Sequence, residues 1–227
     1  MRLAALLVSL LASFPALACQ GKGALCSPLG VVNVFSTWNS AVNPTFSTYS
    51  NGNNTWACSG CTGPNNTSNT RGTQSRASGQ YYFEMTVTDD SNTCCYQGGL
   101  STAALGANDA LGDNTNNGVG YGVAGAVQIN NVTITTIATY TNANVIGVAV
   151  DLSAHRIWFR VGTGNWNNNA TFSPVVGSQS GGIDISGISS GTLFPGISTF
   201  GGNGTTILNT GGSAFTGTLP TGYLKWN

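Results

Sequence analysis

The stretch Gly79-Gln80-Tyr81-Tyr82-Phe83-Glu84-Met85-Thr86-Val87 decides the fold class of this chain. Successive side chains of an extended chain point to opposite sides, so this stretch separates into two faces. One face carries Tyr81, Phe83, Met85 and Val87, and the other carries Tyr82, Glu84 and Thr86. Such alternation predicts a β-strand with one face in an apolar core. Gly79 supplies a turn before the strand, and Asp89-Asp90-Ser91-Asn92 ends it.

The composition favours one all-β domain. The chain has 227 residues, of which 41% are hydrophobic, 6% are charged and 32 are glycine. This length allows one sizeable core and does not demand two domains. The apolar content argues against disorder, because disordered chains lack the apolar surface that offsets ordering entropy. Short apolar runs between Gly/Asn clusters, with no sustained 3.6-residue period, predict a β-sandwich or barrel.

Turn residues divide the chain into further strands. Asn51-Gly52 separates residues 45–50 from 54–58, and Asn130-Asn131 separates residues 127–129 from 132–134, which predicts two hairpins with positive φ in their turns. Residues 59–78 are rich in Gly, Thr and Asn and predict a long loop. Additional strands are expected at residues 97–101, 120–124, 145–152, 155–161, 193–200 and 205–208. In strand 155–161, Trp158 shares a face with Arg156 and Arg160, so we expect Trp158 to be partly exposed.

The charges of the chain are few and balanced. Seven Lys and Arg residues oppose seven Asp and Glu residues, which gives a formal net charge of zero. The basic residues are scattered and form no stripe that could neutralise phosphates, which argues against nucleic-acid binding. No polybasic patch points to a membrane surface either.

The N-terminal residues resemble an export signal. Met1-Arg2 is basic, residues 3–14 are apolar, and Ala16-Leu17-Ala18 is a small-x-small cleavage site, so residues 1–18 predict a secretory signal peptide cut after Ala18. A membrane anchor is the alternative, but about 20 apolar residues are needed to span a bilayer. Cys19 raises lipidation as another alternative, although a lipobox prefers Leu where Ala16 stands. We therefore expect a secreted, periplasmic or cell-surface protein, with an extended leader at residues 19–35 and no later membrane span.

Six cysteines fit an exported chain: Cys19, Cys26, Cys58, Cys61, Cys94 and Cys95. An even number of cysteines in an oxidising compartment favours disulfide bonds. We expect a local Cys19–Cys26 bond, with the 58/61 pair tied to the 94/95 pair. A four-thiolate zinc site is the alternative, but adjacent cysteines fit poorly as two ligands of one tetrahedron. The prediction is therefore disulfides and no metal.

Several segments, in this order, resemble the signature segments of SPRY (B30.2/SPRY-like) domains. The strand at residues 79–87 is similar to the "GKYYWEV"-like opening of that family. The segments that follow are Gln97-Gly98-Gly99-Leu100, Val119-Gly120-Tyr121-Gly122, Asn144 to Leu152, Arg156 to Gly162, Leu193-Phe194-Pro195-Gly196-Ile197-Ser198 and Asn209 to Phe215. The resemblance covers residues 36–227, and the six cysteines and the export signal depart from the best-known members.

The resemblance implies a fold and a class of function. The fold is a bent two-sheet antiparallel β-sandwich of the SPRY, concanavalin-like kind. The function is a non-catalytic binding module that recognises a protein or peptide ligand through loops at one end of the sandwich, with no cofactor. The alternative is a lectin-like carbohydrate-binding protein, or a structural surface protein.

Catalytic and metal motifs are weak in this sequence. Gly187-Ile188-Ser189-Ser190-Gly191 matches a nucleophile elbow, but the single histidine, His155, precedes it and no helix pattern follows. Glu84 is the single glutamate, so a carboxylate pair for glycoside hydrolysis would need Asp89 or Asp90. Asp109, Asp113 and Asn114 could coordinate calcium, but their spacing is not that of an EF-hand. We therefore predict no enzyme activity.

Six residues are candidates for ligand binding: Trp56, Tyr96, Asn108, Asp109, Tyr121 and Trp166. Aromatic and Asn side chains suit both protein hot spots and sugar stacking. For each aromatic residue, packing in the core or in a turn is the competing interpretation. Trp166 lies in the polar stretch Gly164-Asn165-Trp166-Asn167-Asn168-Asn169, where it would either hold the loop in place or contact a ligand.

Overall fold

A computed structural model describes residues 34–42, 45–61, 66–89, 95–113, 115–188 and 191–227. The predicted signal peptide, most of the leader and the expected Cys19–Cys26 bond lie outside the described residues, as do Cys94, Asn114 and Ser189. Among the helical segments that are described, none is both long and apolar enough to cross a membrane.

The described residues form fourteen β-strands and one short 3-10 turn. The strands are β1 (Ser47–Ser50), β2 (Thr55–Cys58), β3 (Thr67–Arg71), β4 (Gln80–Asp89), β5 (Gln97–Ser101), β6 (Gly118–Gly122), β7 (Ala126–Ile129), β8 (Val132–Thr136), β9 (Val145–Asp151), β10 (Arg156–Val161), β11 (Ile183–Asp184), β12 (Phe194–Phe200), β13 (Gly204–Asn209) and β14 (Leu224–Lys225). The 3-10 turn is Trp166–Asn168.

The strands form two sheets. The first has the order β1-β2-β13-β4-β9-β10-β11, with β14 added beside the start of β4, and the second has the order β3-β12-β5-β6-β7-β8. Pairing is antiparallel apart from β14, which runs parallel to β4. Both predicted hairpins are confirmed, because β1 pairs with β2 and β7 pairs with β8 across turns with positive φ at Asn51, Gly52, Asn130 and Asn131. The predicted all-β sandwich is therefore confirmed.

The core lies between the two sheets. Phe83 and Met85 of β4 are buried there with Leu100 of β5 and Ile197 of β12. The sheets approach closely at Gly98, where an added Cβ would lie 2.6 Å from Met85 Cε. Because burial of apolar surface stabilises by about 25 cal/mol per Å², this interior is the main source of stability.

The outer face of β4 is also buried, unlike the one-sided strand that the alternation predicts. Tyr82 and Glu84 point away from the main core, yet both are buried. Tyr82, Ala149, Trp158 and Tyr223 form a second apolar cluster, against which Trp166, Phe215 and Leu219 pack. The chain after β13 and the loop after β10 therefore cover the outer face of the first sheet.

The expected partial exposure of Trp158 is wrong. The Trp158 side chain is buried, and its indole donates to the carbonyl of Ser180 at 2.7 Å. Gly182 lies against the ring, since a Cβ there would be 2.5 Å from Trp158 Cζ2. The loop crossing at residues 180–182 removes Trp158 from solvent, which strand alternation alone does not reveal.

Residues 59–78 are not one long loop. They contain β3, which pairs with β12 at the edge of the second sheet, and its residues 67–70 are buried although all are polar. Asn69 Nδ2 donates to the carbonyls of Gly106 and Asp109, both at 2.7 Å. The β5–β6 loop therefore satisfies the buried Asn69, while Ser68 and Thr70 bond to Ser47 and Tyr49 of β1, which explains how so polar a segment can be buried.

The expected link between the 58/61 cysteines and the 94/95 cysteines is wrong for Cys58 and Cys61. These two residues bond to each other, with their Cα atoms 6.1 Å apart. The turn after β2 brings them together, and both are buried. Cys95 is also disulfide-bonded.

Candidate functional site

A buried arginine on the outer face of the first sheet is the most unusual polar feature of the fold. Arg160 of β10 is 9% exposed. Its Nη2 donates to the carbonyl of Thr218 at 2.6 Å and to the hydroxyl of Tyr82 at 3.3 Å. The guanidinium carbon lies 4.2 Å from the ring centroid of Trp166. We call Tyr82, Glu84, Arg160 and Trp166 the Arg160 cluster.

Glu84 balances this arginine without touching it. Its Oε1 accepts from the Tyr82 hydroxyl and from the amide of Gly217, both at 2.7 Å, and its Oε2 accepts from the amide of Thr216 at 2.8 Å. Burial raises the pKa of Tyr82 well above its usual range, so the phenol stays neutral and can donate to Glu84 while accepting from Arg160. Tyr82 therefore bridges the two charges.

Strand register places the members of this network in one row. Glu84 pairs with Gly147 of β9, and Gly147 pairs with Arg160 of β10. A Cβ on Gly147 would lie 2.8 Å from the Tyr82 hydroxyl and 3.1 Å from Arg160 Nε. Because Gly147 has no side chain, Tyr82 has room to lie between the two charged residues.

The loop that carries Trp166 is fixed by its neighbour Asn167. Asn167 adopts a left-handed conformation, with φ 46°, and its side chain is buried. Its Oδ1 accepts from the amide of Phe159 at 2.9 Å, and its Nδ2 donates to the carbonyl of Gly181 at 2.8 Å. These bonds tie the loop both to β10 and to the crossing at residues 180–182, so the position of Trp166 is set by backbone contacts.

A small cavity opens beside Arg160 and Trp166. Its volume is about 190 Å³, and its lining residues are Arg160, Trp166, Val175, Thr218, Leu219, Pro220 and Thr221. Two loops form its walls, and they are joined where the amide of Val176 donates to the carbonyl of Thr221 at 3.2 Å. The cavity thus combines a cation with apolar and threonine side chains in its lining.

Asp151 anchors one of these loops to the sheet. Its Oδ2 accepts from Gln80 at 3.0 Å and from Gln179 at 2.9 Å, and its Oδ1 accepts from the amide of Ala154 at 2.9 Å. Burial alone would raise the pKa of Asp151, but these hydrogen bonds outweigh burial and hold the pKa below its usual value. The ionised carboxylate is therefore the form that holds the loop at Gln179.

The structure separates the six candidate ligand residues. Trp56, Tyr96 and Tyr121 are fully buried in the main core and present no surface to a ligand. Asn108 is exposed and Asp109 half-buried, in the loop that covers the second sheet, where Asp109 Oδ2 accepts from the amide of Gly106 at 3.0 Å. Trp166 is half-buried against the first sheet. The site around Arg160 therefore contains Trp166 and none of the other five.

Among the described residues considered for catalysis, His155 and Glu84 lie in different parts of the fold. His155 lies in the turn before β10 with φ 54°, beside a cavity lined by Ile185, Ile188 and Leu193. Glu84 lies in the Arg160 cluster, where all its hydrogen bonds serve the fold. Burial, and then the neighbouring charge of Asp109, raise the pKa of Asp113. Within the described residues, no group of three His, Cys, Asp or Glu side chains could hold a metal ion.

Arg160, Gly147 and Asn167 are parts of the site that sequence reasoning missed. Two signals were available. Arg160 is one of only seven basic residues, and it stands in a strand whose opposite face is apolar. Asn167 belongs to an Asn-rich loop, and Asn tolerates the left-handed conformation better than most residues. Neither signal indicates which neighbours the side chain contacts.

Comparison with known proteins identifies the fold. No protein-family model matches the chain, and no curated protein matches it in sequence. Among solved structures, the SPRY domain of human HERC1 superposes with a TM-score of 0.56 at 13% identity, covering 74% of this chain and 94% of that domain. The TRIM65 PSpry domain gives 0.53 at 16% identity, covering 77% and 92%.

A toxin shares the same architecture. The stonustoxin structure gives a TM-score of 0.53 at 15% identity, covering 77% of this chain and 27% of the toxin chain. At such identities the likeness concerns the fold alone. The two antiparallel sheets and these superpositions agree, and the chain has the fold of a SPRY domain.

Proposed function

We propose that this chain is a non-catalytic binding module that recognises a protein or peptide ligand through the surface around Trp166. The observation that carries the proposal is the pairing of a half-buried tryptophan with a buried arginine in the lining of one cavity. Tryptophan and arginine are enriched among the residues that dominate protein-binding energy. The surface lies on loops, where a β-sandwich can vary its binding residues without disturbing the core.

Preorganisation supports the proposal. Binding costs free energy when side chains and loops must be ordered at the interface. Here Asn167 fixes the Trp166 loop, and Thr218 and Tyr82 fix the guanidinium of Arg160. A ligand would therefore meet a surface that is already ordered.

We propose a module without catalytic activity because of where Glu84 and His155 lie in the fold. Glu84 accepts three hydrogen bonds inside the fold and is buried. His155 lies at the turn between β9 and β10, while Glu84 lies near the middle of β4. A general acid or base must reach a substrate within hydrogen-bond distance, which the buried Glu84 does not offer.

We also propose that the module works outside the cytoplasm. The proposal rests on the export-like sequence at residues 1–18 and on the Cys58–Cys61 disulfide. Disulfides persist in oxidising compartments.

A peptide selection tests the proposed function. The folded chain would be immobilised and challenged with a displayed library of random peptides, and the same preparation would be applied to a glycan array. We expect a related set of peptides that bind the folded chain saturably and lose binding when it is unfolded. Failure to enrich any peptide, with saturable binding on the glycan array, would instead establish the lectin-like alternative.

A further inference from the structure

Two hydrogen-bond donors at the cavity beside Arg160 and Trp166 have no partner among the described residues. The indole N–H groups of Trp38, Trp56, Trp158 and Trp226 donate to Thr206, Ser47, Ser180 and Gln74. Trp166 Nε1 and Arg160 Nη1 donate to no group in the part of the chain that the structure describes. Unlike Arg160 Nε, neither of these two nitrogen atoms is fully buried, so both are accessible to solvent. Their residues line the same cavity.

The positive charge of Arg160 is only partly compensated. Within the described residues no carboxylate forms an ion pair with Arg160, and Glu84 is connected to it through Tyr82. The Arg160 Nε–H is buried and unpaired. A buried cation with unpaired N–H donors favours an anionic partner. Hydrogen bonds in which the donor or the acceptor is ionised are about twice as strong as neutral ones.

The walls of the cavity indicate which anion fits. Val175, Leu219 and Pro220 line the same cavity as Arg160 and add apolar surface to it. Methylene groups gain about 0.8 kcal/mol each when buried, so a carboxylate on a short aliphatic stem would use these walls. A phosphate group carries close to two negative charges and usually needs several cations. One partly compensated arginine suits a single carboxylate better.

We propose that the Arg160–Trp166 cavity binds the acidic side chain of a peptide ligand, with glutamate the best fit. The carboxylate accepts from Arg160 Nη1 and Trp166 Nε1, and its methylenes contact Val175 and Leu219. This inference rests on the proposed function, because it names one residue of the ligand. The fixed position of Arg160 makes the cavity ready for the carboxylate before the peptide binds.

A titration with a single-residue probe tests the inference without any selected peptide. Isotope-labelled chain at low ionic strength would be titrated with N-acetylglutamate N-methylamide, and the indole N–H of Trp166 and the Nε–H of Arg160 would be followed by NMR. We expect saturable shifts of both signals, with a Kd on the order of 1 mM for so small a ligand. The glutamine analogue should bind at least tenfold more weakly.

Variants keep the test interpretable. Replacement of the buried Arg160 risks unfolding, so the blocking variant is Thr221→Glu, at an exposed position on the cavity lining. Its carboxylate should compete for the same donors and abolish the shifts. Arg156→Gln is the matched control, because it removes one positive charge from the same strand and should leave the Kd within twofold. Arg156 is 43% exposed and pairs with Asp184 at 3.3 Å.

Four results would overturn the inference. In the first, the glutamine analogue gives the same shifts as the glutamate probe. In the second and third, N-acetylglycine, which carries a main-chain carboxylate, or sulfate binds as tightly as the glutamate probe. In the fourth, no probe causes a shift. The outcome is independent of the peptide selection. Selected peptides without acidic residues, together with silent titrations, would leave the proposed function intact and reject this inference. Probe binding without any selected peptide would keep the carboxylate site and reject a peptide as its ligand.

Discussion

The guanidinium carbon of Arg160 lies 4.2 Å from the ring centroid of Trp166, so a strand residue and a loop residue are stacked on the outer face of the first sheet. A cation over an aromatic face contributes about 2 kcal/mol when both groups are removed from water. Arg160 is also held by Thr218 and Tyr82. This one side chain therefore connects β4, β10, the Trp166 loop and the segment before β14.

Replacement of Glu84 by glutamine should destabilise the fold. Glu84 accepts from three donors, and an amide offers one oxygen and turns its NH2 group toward at least one N–H or O–H donor. An unpaired buried donor costs about 1–3 kcal/mol, so we expect a loss of about 2 kcal/mol in the free energy of unfolding. Equilibrium denaturation checks the value, and hydrogen exchange at Thr216 and Gly217 should become faster.

Asp184→Asn is the control for this prediction. Asp184 is about half exposed and pairs with the partly exposed Arg156, and such surface pairs contribute about 0–1 kcal/mol. Equal destabilisation by Glu84→Gln and Asp184→Asn would contradict the role assigned to Glu84.

The stability of the fold should depend on pH through Asp151. The pKa of Asp151 is lower in the folded state than its ordinary value of 3.8. The unfolded state therefore binds more protons in this acidic range. The contribution of Asp151 is fully present above pH 3.8 and is lost as the pH falls through the folded-state pKa.

Comparison with Asp151→Asn isolates this effect. Asp113, whose pKa is raised, contributes with the opposite sign, since its contribution is present below pH 3.8 and is lost as pH rises through its folded-state pKa. Both proteins carry Asp113, so its contribution cancels in the difference between their denaturation curves. We expect the difference, about 1–2 kcal/mol at pH 6, to shrink steadily below pH 3.8. A difference that does not change with pH would show that the charge of Asp151 is unimportant.

Alanine at Gly147 should disturb the Arg160 cluster. The added Cβ would lie 2.8 Å from the Tyr82 hydroxyl and 3.1 Å from Arg160 Nε, so both side chains must move. Overpacking of this kind costs about 1–3 kcal/mol. Gly187→Ala is the matched control, because no atom lies within 4 Å of its added Cβ. In thermal unfolding, Gly147→Ala should have the lower melting temperature of the two variants. Equal melting temperatures would refute the close packing at Gly147.

Loss of the Cys58–Cys61 disulfide should have a measurable but moderate effect. The bond closes a short loop, with a sequence separation of 3. The chain-entropy relation gives about 2 kcal/mol for so short a loop. The double variant Cys58→Ser, Cys61→Ser should lose about this amount in chemical denaturation under non-reducing conditions. An unchanged midpoint would mean that the bond does not constrain the unfolded chain.

The sequence predicts those strands whose formation depends on neighbouring residues in the chain. The alternation at residues 79–87 predicts β4, and Asn51-Gly52 and Asn130-Asn131 predict the two hairpins, because side-chain period and positive φ are properties of a few adjacent residues. Strand β3 escaped prediction, since the burial of Asn69 depends on carbonyl groups about 40 residues away. Long-range satisfaction of polar groups has no local signature.

The candidate site was harder to predict for the same reason. Tyr96, Tyr121 and Trp166 are all aromatic residues near glycine or asparagine, yet two lie in the core and one lies beside the cavity. Their sequence neighbourhoods do not say which sheet face or loop will cover them. Arg160 could be placed on a strand face, but its contacts with Tyr82 and Thr218 depend on how the chain end folds back over that face.

In the function that we propose, the surface around Trp166 recognises the ligand. The most direct test is calorimetric titration of a selected peptide into the wild-type chain, Trp166→Ala and the distant control Val132→Ala, which changes a side chain 57% exposed on β8. We predict that Trp166→Ala weakens binding at least tenfold, about 1.4 kcal/mol, while Val132→Ala leaves it unchanged. Equal affinity of all three folded proteins for the peptide would contradict the account.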